Sequence, residues 1–172
     1  IKTAIPPQTE YKYYSDRMDA QFSRGDLFDT LYFNASQQLA KDSTEIFTIG
    51  NALVPLKRNI LVTLRPTLKY STEKNVGVYR KVGNSYGYEG GKWVNGSMTF
   101  VTREFGHFTI LADTVPPTIN RIYADNQAVR FKIRDYLSGI SSFEATINGN
   151  WLLMNYDAKD DVIMSERKSK NE

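Results

Sequence analysis

The chain has no cysteine and a single histidine, His107. The first absence excludes disulfides, thiolate metal sites and a cysteine nucleophile. The second excludes a multi-histidine metal centre built from this chain alone. Long apolar runs are missing as well, and none approaches the roughly 18–20 residues that span a bilayer as a helix. No basic segment followed by an apolar stretch opens the sequence, so a signal peptide is absent or already removed. The glycine patterns of a nucleophile elbow, a Walker loop or a dinucleotide fold do not occur either. An excess of charge of one sign is lacking. Lys and Arg number 22 against 19 Asp and Glu, a net charge of +3 over 172 residues. Residues 1–117 hold 14 basic and 11 acidic side chains, and residues 118–172 hold 8 of each. Such a balance is not the clustered basic stripe that nucleic-acid binding needs, and the short runs Lys57-Arg58 and Arg167–Lys170 read as solvated surface.

What is present is aromatic and β-branched. The chain carries 11 Tyr, 9 Phe and 2 Trp, which together with many Val, Ile and Thr favours strands. Alternation sharpens from Glu45 onward. Ile60, Val62 and Leu64 share one face at period two, as do Val76, Val78 and Val82, and later Val129, Phe131 and Ile133. Asn95-Gly96 and Asn148-Gly149 are hairpin signals, because both central residues of that turn need positive φ. Strands are expected over 30–36, 46–49, 59–65, 76–82, 86–88, 93–94, 97–102, 105–112, 119–123, 129–134, 140–147, 151–156 and 161–165. Residues 1–39 are less regular, with a short strand over 11–14 and the best place for a helical turn at Ser15 to Ala20.

The segment 114–118 contains Pro116-Pro117, which removes two amide donors and forces extended backbone, so it is placed as a junction. The expectation is an all-β chain of two tandem immunoglobulin-like β-sandwich modules. The first covers 1–113 with an irregular start over about 1–39. The second covers 119–172 and is shorter than the roughly 100 residues and seven strands of a full immunoglobulin sandwich. It therefore reads as truncated, with an uncovered strand edge through which the chain would dimerise or accept a donated strand.

Candidate chemistry is sparse. Asp157, Asp160 and Asp161 fall in one turn, where aspartate is favoured for side-chain-to-backbone hydrogen bonds. Their oxygens would otherwise contribute to a weakly held Ca²⁺. A catalytic carboxylate pair and a metal-ligating His107 are the minor readings of these residues. No other cofactor is expected. Tyr86, Tyr88 and Trp93 flank glycine-rich turns and are either cross-strand packing or a stacking platform for sugar rings.

Taken in order, the runs Glu45–Leu56, Leu64–Pro66, Gly90–Trp93, Arg103–Phe108 and Asp113–Ile119, then Asp135–Ile140, Asn148–Trp151 and Tyr156–Lys159, resemble the region that follows the catalytic domain in bacterial lysostaphin-type zinc metallopeptidases. In that family a peptidase domain precedes β-sandwich modules. The resemblance implies an exported protein of the periplasm or cell surface, acting near peptidoglycan, with the missing peptidase domain as its partner. It transfers no catalytic residue, since the family's histidine and aspartate zinc ligands lie in a domain that no segment here matches. The function it implies is accessory and structural. The alternatives are an autonomous module that binds peptidoglycan or another polysaccharide, and a surface adhesion module.

Overall fold

The computed structural model describes residues 2–70 and 73–166. Those residues are all-β, and none of them forms a helix. No helix among them is long and apolar enough to cross a membrane. The chain divides into two compact units, Ile1–Asp113 and Thr114–Glu172.

The first unit is a sandwich of two five-stranded antiparallel sheets. In chain order its strands are β1 (Thr3–Ile5), β2 (Tyr11–Tyr14), β3 (Met18–Phe22), β4 (Leu31–Phe33), β5 (Ala35–Leu39), β6 (Glu45–Ile49), β7 (Ile60–Leu64), β8 (Val76–Val82), β9 (Ser85–Gly90), β10 (Lys92–Val94), β11 (Ser97–Thr102) and β12 (Gly106–Ala112). One sheet has the order β10-β11-β7-β3-β2, the other β5-β6-β12-β8-β9, and β1 pairs with β4 as a separate ribbon. Alternation decides which side chains face inward. The first sheet contributes Met18, Ala20 and Phe22, then Ile60, Val62 and Leu64, then Met98 and Phe100, all buried. The second contributes Phe47 and Ile49, Val76 and Val78, and Phe108 and Ile110. Phe100 meets Phe108 with ring centroids 5.3 Å apart. Phe22 and Phe33 meet edge to face at 5.2 Å, and Phe105 lies 6.3 and 6.2 Å from them.

The first 39 residues are therefore part of this sandwich, because β2 and β3 complete its first sheet. The stretch expected to hold a helical turn is instead the tight connection into β3. Ser15 N–H donates to the Met18 carbonyl at 3.0 Å, and Ser15 Oγ accepts from Met18 N–H at 3.1 Å. Local capping chemistry was real, but the apolar positions Met18, Ala20 and Phe22 follow period two, and the strand that carries them pairs with β7. Similarly, the aromatic run expected as one strand is divided at Asn34 into β4 and β5, which belong to different sheets. At Asn95-Gly96 both residues have positive φ, 50° and 75°, as that hairpin requires.

Buried carboxylates act as struts. Glu45 is 1% exposed, and its oxygens accept from Gln37 Nε2 at 2.6 Å, Thr67 N–H at 3.0 Å and Thr67 Oγ1 at 3.0 Å. This pins the segment after Pro66 to β6. Asp19 holds the Arg65 guanidinium through both oxygens, and Arg80 bridges Glu89 and Glu104.

The second unit holds β13 (Thr118–Ala124), β14 (Val129–Arg134), β15 (Thr146–Ile147), β16 (Asn150–Trp151), β17 (Met154–Asp157) and β18 (Val162–Ser165). Four of these form a sheet of order β13-β14-β18-β17, and β15 with β16 forms a ribbon turned at Asn148-Gly149. Residues 140–145, expected as the first part of a strand, make no ladder. Instead Ile140 and Ala145 lie over the sheet, packing with Leu152 against Ile133, Met154 and Ile163. Asp135 organises the start of that cover, its Oδ1 accepting from the N–H groups of Leu137, Ser138 and Gly139 at 3.0, 2.9 and 3.2 Å.

Gly50 tests how tightly the first core is closed. Its φ is +60°, and a Cβ there would lie 2.5 Å from the Phe105 ring. Gly50→Ala is expected to lower the unfolding free energy by about 2 kcal/mol or more, from left-handed strain plus ring displacement. Denaturant titration of the variant against the parent measures it.

Candidate functional site

Three connections of the first unit converge at one end of the sandwich: 23–30 between β3 and β4, 50–59 between β6 and β7, and 103–105 between β11 and β12. Loops held by a rigid scaffold are where binding residues concentrate. Here the loops are laced together. Leu27 and Leu56 form an isolated antiparallel bridge, Lys57 N–H donates to the Asp26 carbonyl at 2.8 Å, and Arg103 Nε donates to the Leu56 carbonyl at 3.3 Å.

The turn at residues 51–54 divides this end into two concavities. One, of about 560 Å³, is lined by Lys2, Tyr32, Asn34, Thr48, Asn51 and His107 among others. Within it Thr48 Oγ1 and His107 Nδ1 are hydrogen-bonded at 2.9 Å. The other, of about 600 Å³, is lined by Phe28, Leu53, Val54, Pro55, Leu56 and Phe105 together with Arg103 and Glu104. The turn is closed by Asn51, whose Oδ1 accepts from Leu53 N–H at 3.0 Å and whose carbonyl accepts from Val54 N–H at 2.9 Å. Neither concavity gathers acid, base and nucleophile. Among the described residues no group of three or more His, Cys, Asp or Glu side chains is placed to hold a metal ion.

The candidate residues read from the sequence fall elsewhere. Tyr86 and Tyr88 both lie on β9 and face the outer side of the second sheet, opposite Lys81 and Tyr79. They are 39% and 53% exposed, and Tyr88 packs on Tyr79 at 5.2 Å between ring centroids. Trp93 is not with them. Gly90-Gly91 carries the chain from the second sheet to the first, so Trp93 on β10 packs inward against Tyr70, 5.6 Å away. In the second unit, Asp157 Oδ1 accepts from Lys159 N–H at 3.0 Å and Asp160 N–H at 3.4 Å, while Asp161 pairs with Arg134 at 3.3 Å. Asp157 thus serves the turn and Asp161 the neighbouring strand.

Phe28 and Leu53 carry no mark in the sequence that sets them apart from their apolar neighbours. Phe28 follows Leu27, and Leu53 stands in the apolar run Ala52–Leu56, with no period to say which of these side chains face water. The available signal was Asn51, a turn-former that fixes Leu53 two positions on, ahead of Pro55.

Comparison with known families gives one result. A family model described as Zu5-like domain matches residues 2–113, a span that ends where the first compact unit ends. No curated protein matches the chain.

The Trp93–Tyr70 pair yields two expectations. Burial first, then the nearby Glu45 charge, pushes the Tyr70 phenol up to about 12, and its hydroxyl donates to the Ile110 carbonyl at 3.0 Å. Because the folded chain keeps this proton while the unfolded chain releases it near pH 10, stability is retained below about pH 10 and lost as pH rises toward 12. Ultraviolet titration of the parent against Tyr70→Phe should show one phenol fewer in that upper range. Trp93→Ala should cost about 2 kcal/mol in denaturant unfolding, below the range for a fully buried ring.

Proposed function

The chain belongs to the Zu5-like domain family through residues 2–113, and on that footing we propose that it is a non-catalytic accessory segment of a larger protein. Its β-sandwich modules space and orient a neighbouring catalytic domain. The observation that carries this reading is the use made of polar groups inside the first unit. Glu45, Asp19 and Asp26 are buried, and each is committed to a structural partner: Glu45 to Thr67 and Gln37, Asp19 to Arg65, and Asp26 Oδ2 to Ser23 N–H at 2.6 Å. A carboxylate whose oxygens are taken up by structural donors in this way is buried away from substrate, a poor arrangement for acid–base work.

The resemblance of the ordered motifs to the region following the catalytic domain of lysostaphin-type peptidases supplies the more specific setting. The neighbour is then a zinc metallopeptidase of an exported bacterial cell-wall protein, and the modules work in the periplasm or at the cell surface.

A second reading, autonomous binding of peptidoglycan or another polysaccharide, is favoured by Tyr86 and Tyr88, two exposed rings on one strand face. The third, pairing through a strand edge, rests on β13. It ends its sheet, and Ile119, opposite the buried Ile133, is 69% exposed.

Incubated with peptidoglycan and zinc, the purified chain should release no soluble fragments. Release of free amines would overturn the accessory reading. Sedimentation with insoluble peptidoglycan separates the second reading: retention that disappears in Tyr86→Ala/Tyr88→Ala would establish it, and equal, negligible retention of both proteins would remove it.

A further inference from the structure

The outer face of the second sheet carries a platform and a hollow. Tyr79 and Thr109 are a cross-strand pair on that face. They point away from the core, yet they are only 1% and 3% exposed. Tyr88 supplies part of their cover. A Cβ on Gly77 would lie 2.5 Å from the Tyr88 ring, so the missing side chain lets that ring lie down on the sheet. It rests there against Tyr79, with centroids 5.2 Å apart. The ring is thus supported from beneath, while the residue as a whole stays 53% exposed. Tyr86, two positions earlier on β9, stands opposite Lys81 and is also exposed.

Beside Tyr86 lies a hollow of about 10 Å³, lined by Ile46, Lys81, Tyr86, His107, Phe108 and Thr109. That volume takes about one methyl-sized group. The Thr109 hydroxyl borders it, buried and with no hydrogen-bond partner among the described residues. The neighbouring His107 does not relieve it through Nδ1, which is taken by Thr48 Oγ1. A buried hydroxyl left unpaired costs free energy, and native folds keep few of them. An apolar recess with one idle hydroxyl beside it matches a group that sets a methyl next to a hydrogen-bonding oxygen.

We propose that the outer face of the second sheet is a binding site for an N-acetylated hexosamine. The acetamido methyl enters the hollow against Ile46 and Tyr86, and the acetamido carbonyl accepts from the Thr109 hydroxyl. The sugar ring lies on the open face of Tyr88, whose aromatic body and polar tip suit a surface that is part apolar and part hydroxyl. The inference rests on the reading in which Tyr86 and Tyr88 bind polysaccharide, and it names the sugar. A plain hydroxyl substituent would meet Thr109 but leave the apolar walls bare, and a methyl alone would leave Thr109 unpaired. The acetamido group satisfies both. Acetylated lysine carries the same group, but it has no ring face for Tyr88 to meet.

Calorimetric titration of the full chain with chitotriose, cellotriose and a blocked acetyl-lysine tests it. The two trisaccharides share one backbone, and only chitotriose carries acetamido groups. Chitotriose should bind about tenfold or more tightly than cellotriose, because without the acetamido group the site's buried hydroxyl stays unpaired. Acetyl-lysine should not be held. Thr109→Val keeps the side chain's shape and removes its hydroxyl. It should weaken chitotriose binding about tenfold, while the denaturant midpoint stays in place or rises, since an unpaired buried group is lost. A lowered midpoint would show the hydroxyl to be structurally engaged and would overturn the proposal. Acetyl-lysine bound as tightly as chitotriose would overturn it too. Equal affinity for the two trisaccharides, lost together in Tyr86→Ala/Tyr88→Ala, would leave the polysaccharide reading standing and remove the acetamido site. Binding of neither would also remove that site, and sedimentation with peptidoglycan then decides the broader reading by itself.

Discussion

The first unit depends on one physical constraint: two sheets must bury their inner faces against each other, and no other device closes the core. No disulfide contributes, since the chain has no cysteine. Phe47, Val62, Val78 and Phe108 are fully buried and come from both sheets, so the driving force is removal of apolar area from water across the sheet interface. The aromatic cluster of Phe22, Phe33 and Phe105 extends that core to the end of the sandwich where the loops meet. Rigidity at the loop end is a consequence of this packing. Gly50 has to be glycine because Phe105 occupies the space beside it, and the turn that presents Leu53 begins at the next residue.

Polar groups complete what apolar packing leaves loose. Glu45, enclosed by Thr67 and Gln37, fastens a segment that Pro66 keeps out of the ladder. The same charge lies near Tyr70 and helps to keep its phenol protonated, and Tyr70 in turn supports Trp93. A chain of contacts thus runs from a buried carboxylate to a ring that sequence alone places among sugar-stacking candidates. Once Trp93 is committed to that chain, Tyr86 and Tyr88 are left as the exposed pair on the outer face.

Class and strand positions were legible because period-two alternation is a local signal that the sheets obey. Ile60, Val62 and Leu64 are the clearest case. The twin asparagine–glycine turns were legible because their φ requirement excludes most other residues. Three features were not. β3 lay behind a Ser15 turn whose local bonds look like a helix cap. The division of the Leu31–Leu39 stretch between two sheets leaves no mark on hydrophobicity. Residues 140–145 carry strand-forming residues yet cover a sheet rather than join one. Each of these was decided by contacts far along the chain, which a window of neighbours does not contain.

The loop end shows why exposed apolar residues escape periodic reading. A core residue is one member of a repeating face and is recognised by its companions. Leu53 has none: Asn51 and Ala52 serve a turn, Val54 turns back to the core, and the apolar residue that shares its concavity is Phe28, 25 positions earlier in the sequence. The pairing exists only because Leu27 and Leu56 bridge. That bridge requires both leucines to be buried, as they are at 5% and 2% exposure. The same contact that closes the core therefore sets two apolar side chains on its outer rim. The charged side chains of the same loops are of both signs, Arg24, Lys57, Arg58 and Arg103 with Asp26, Asp29 and Glu104, so the rim is apolar side chains set among mixed charge.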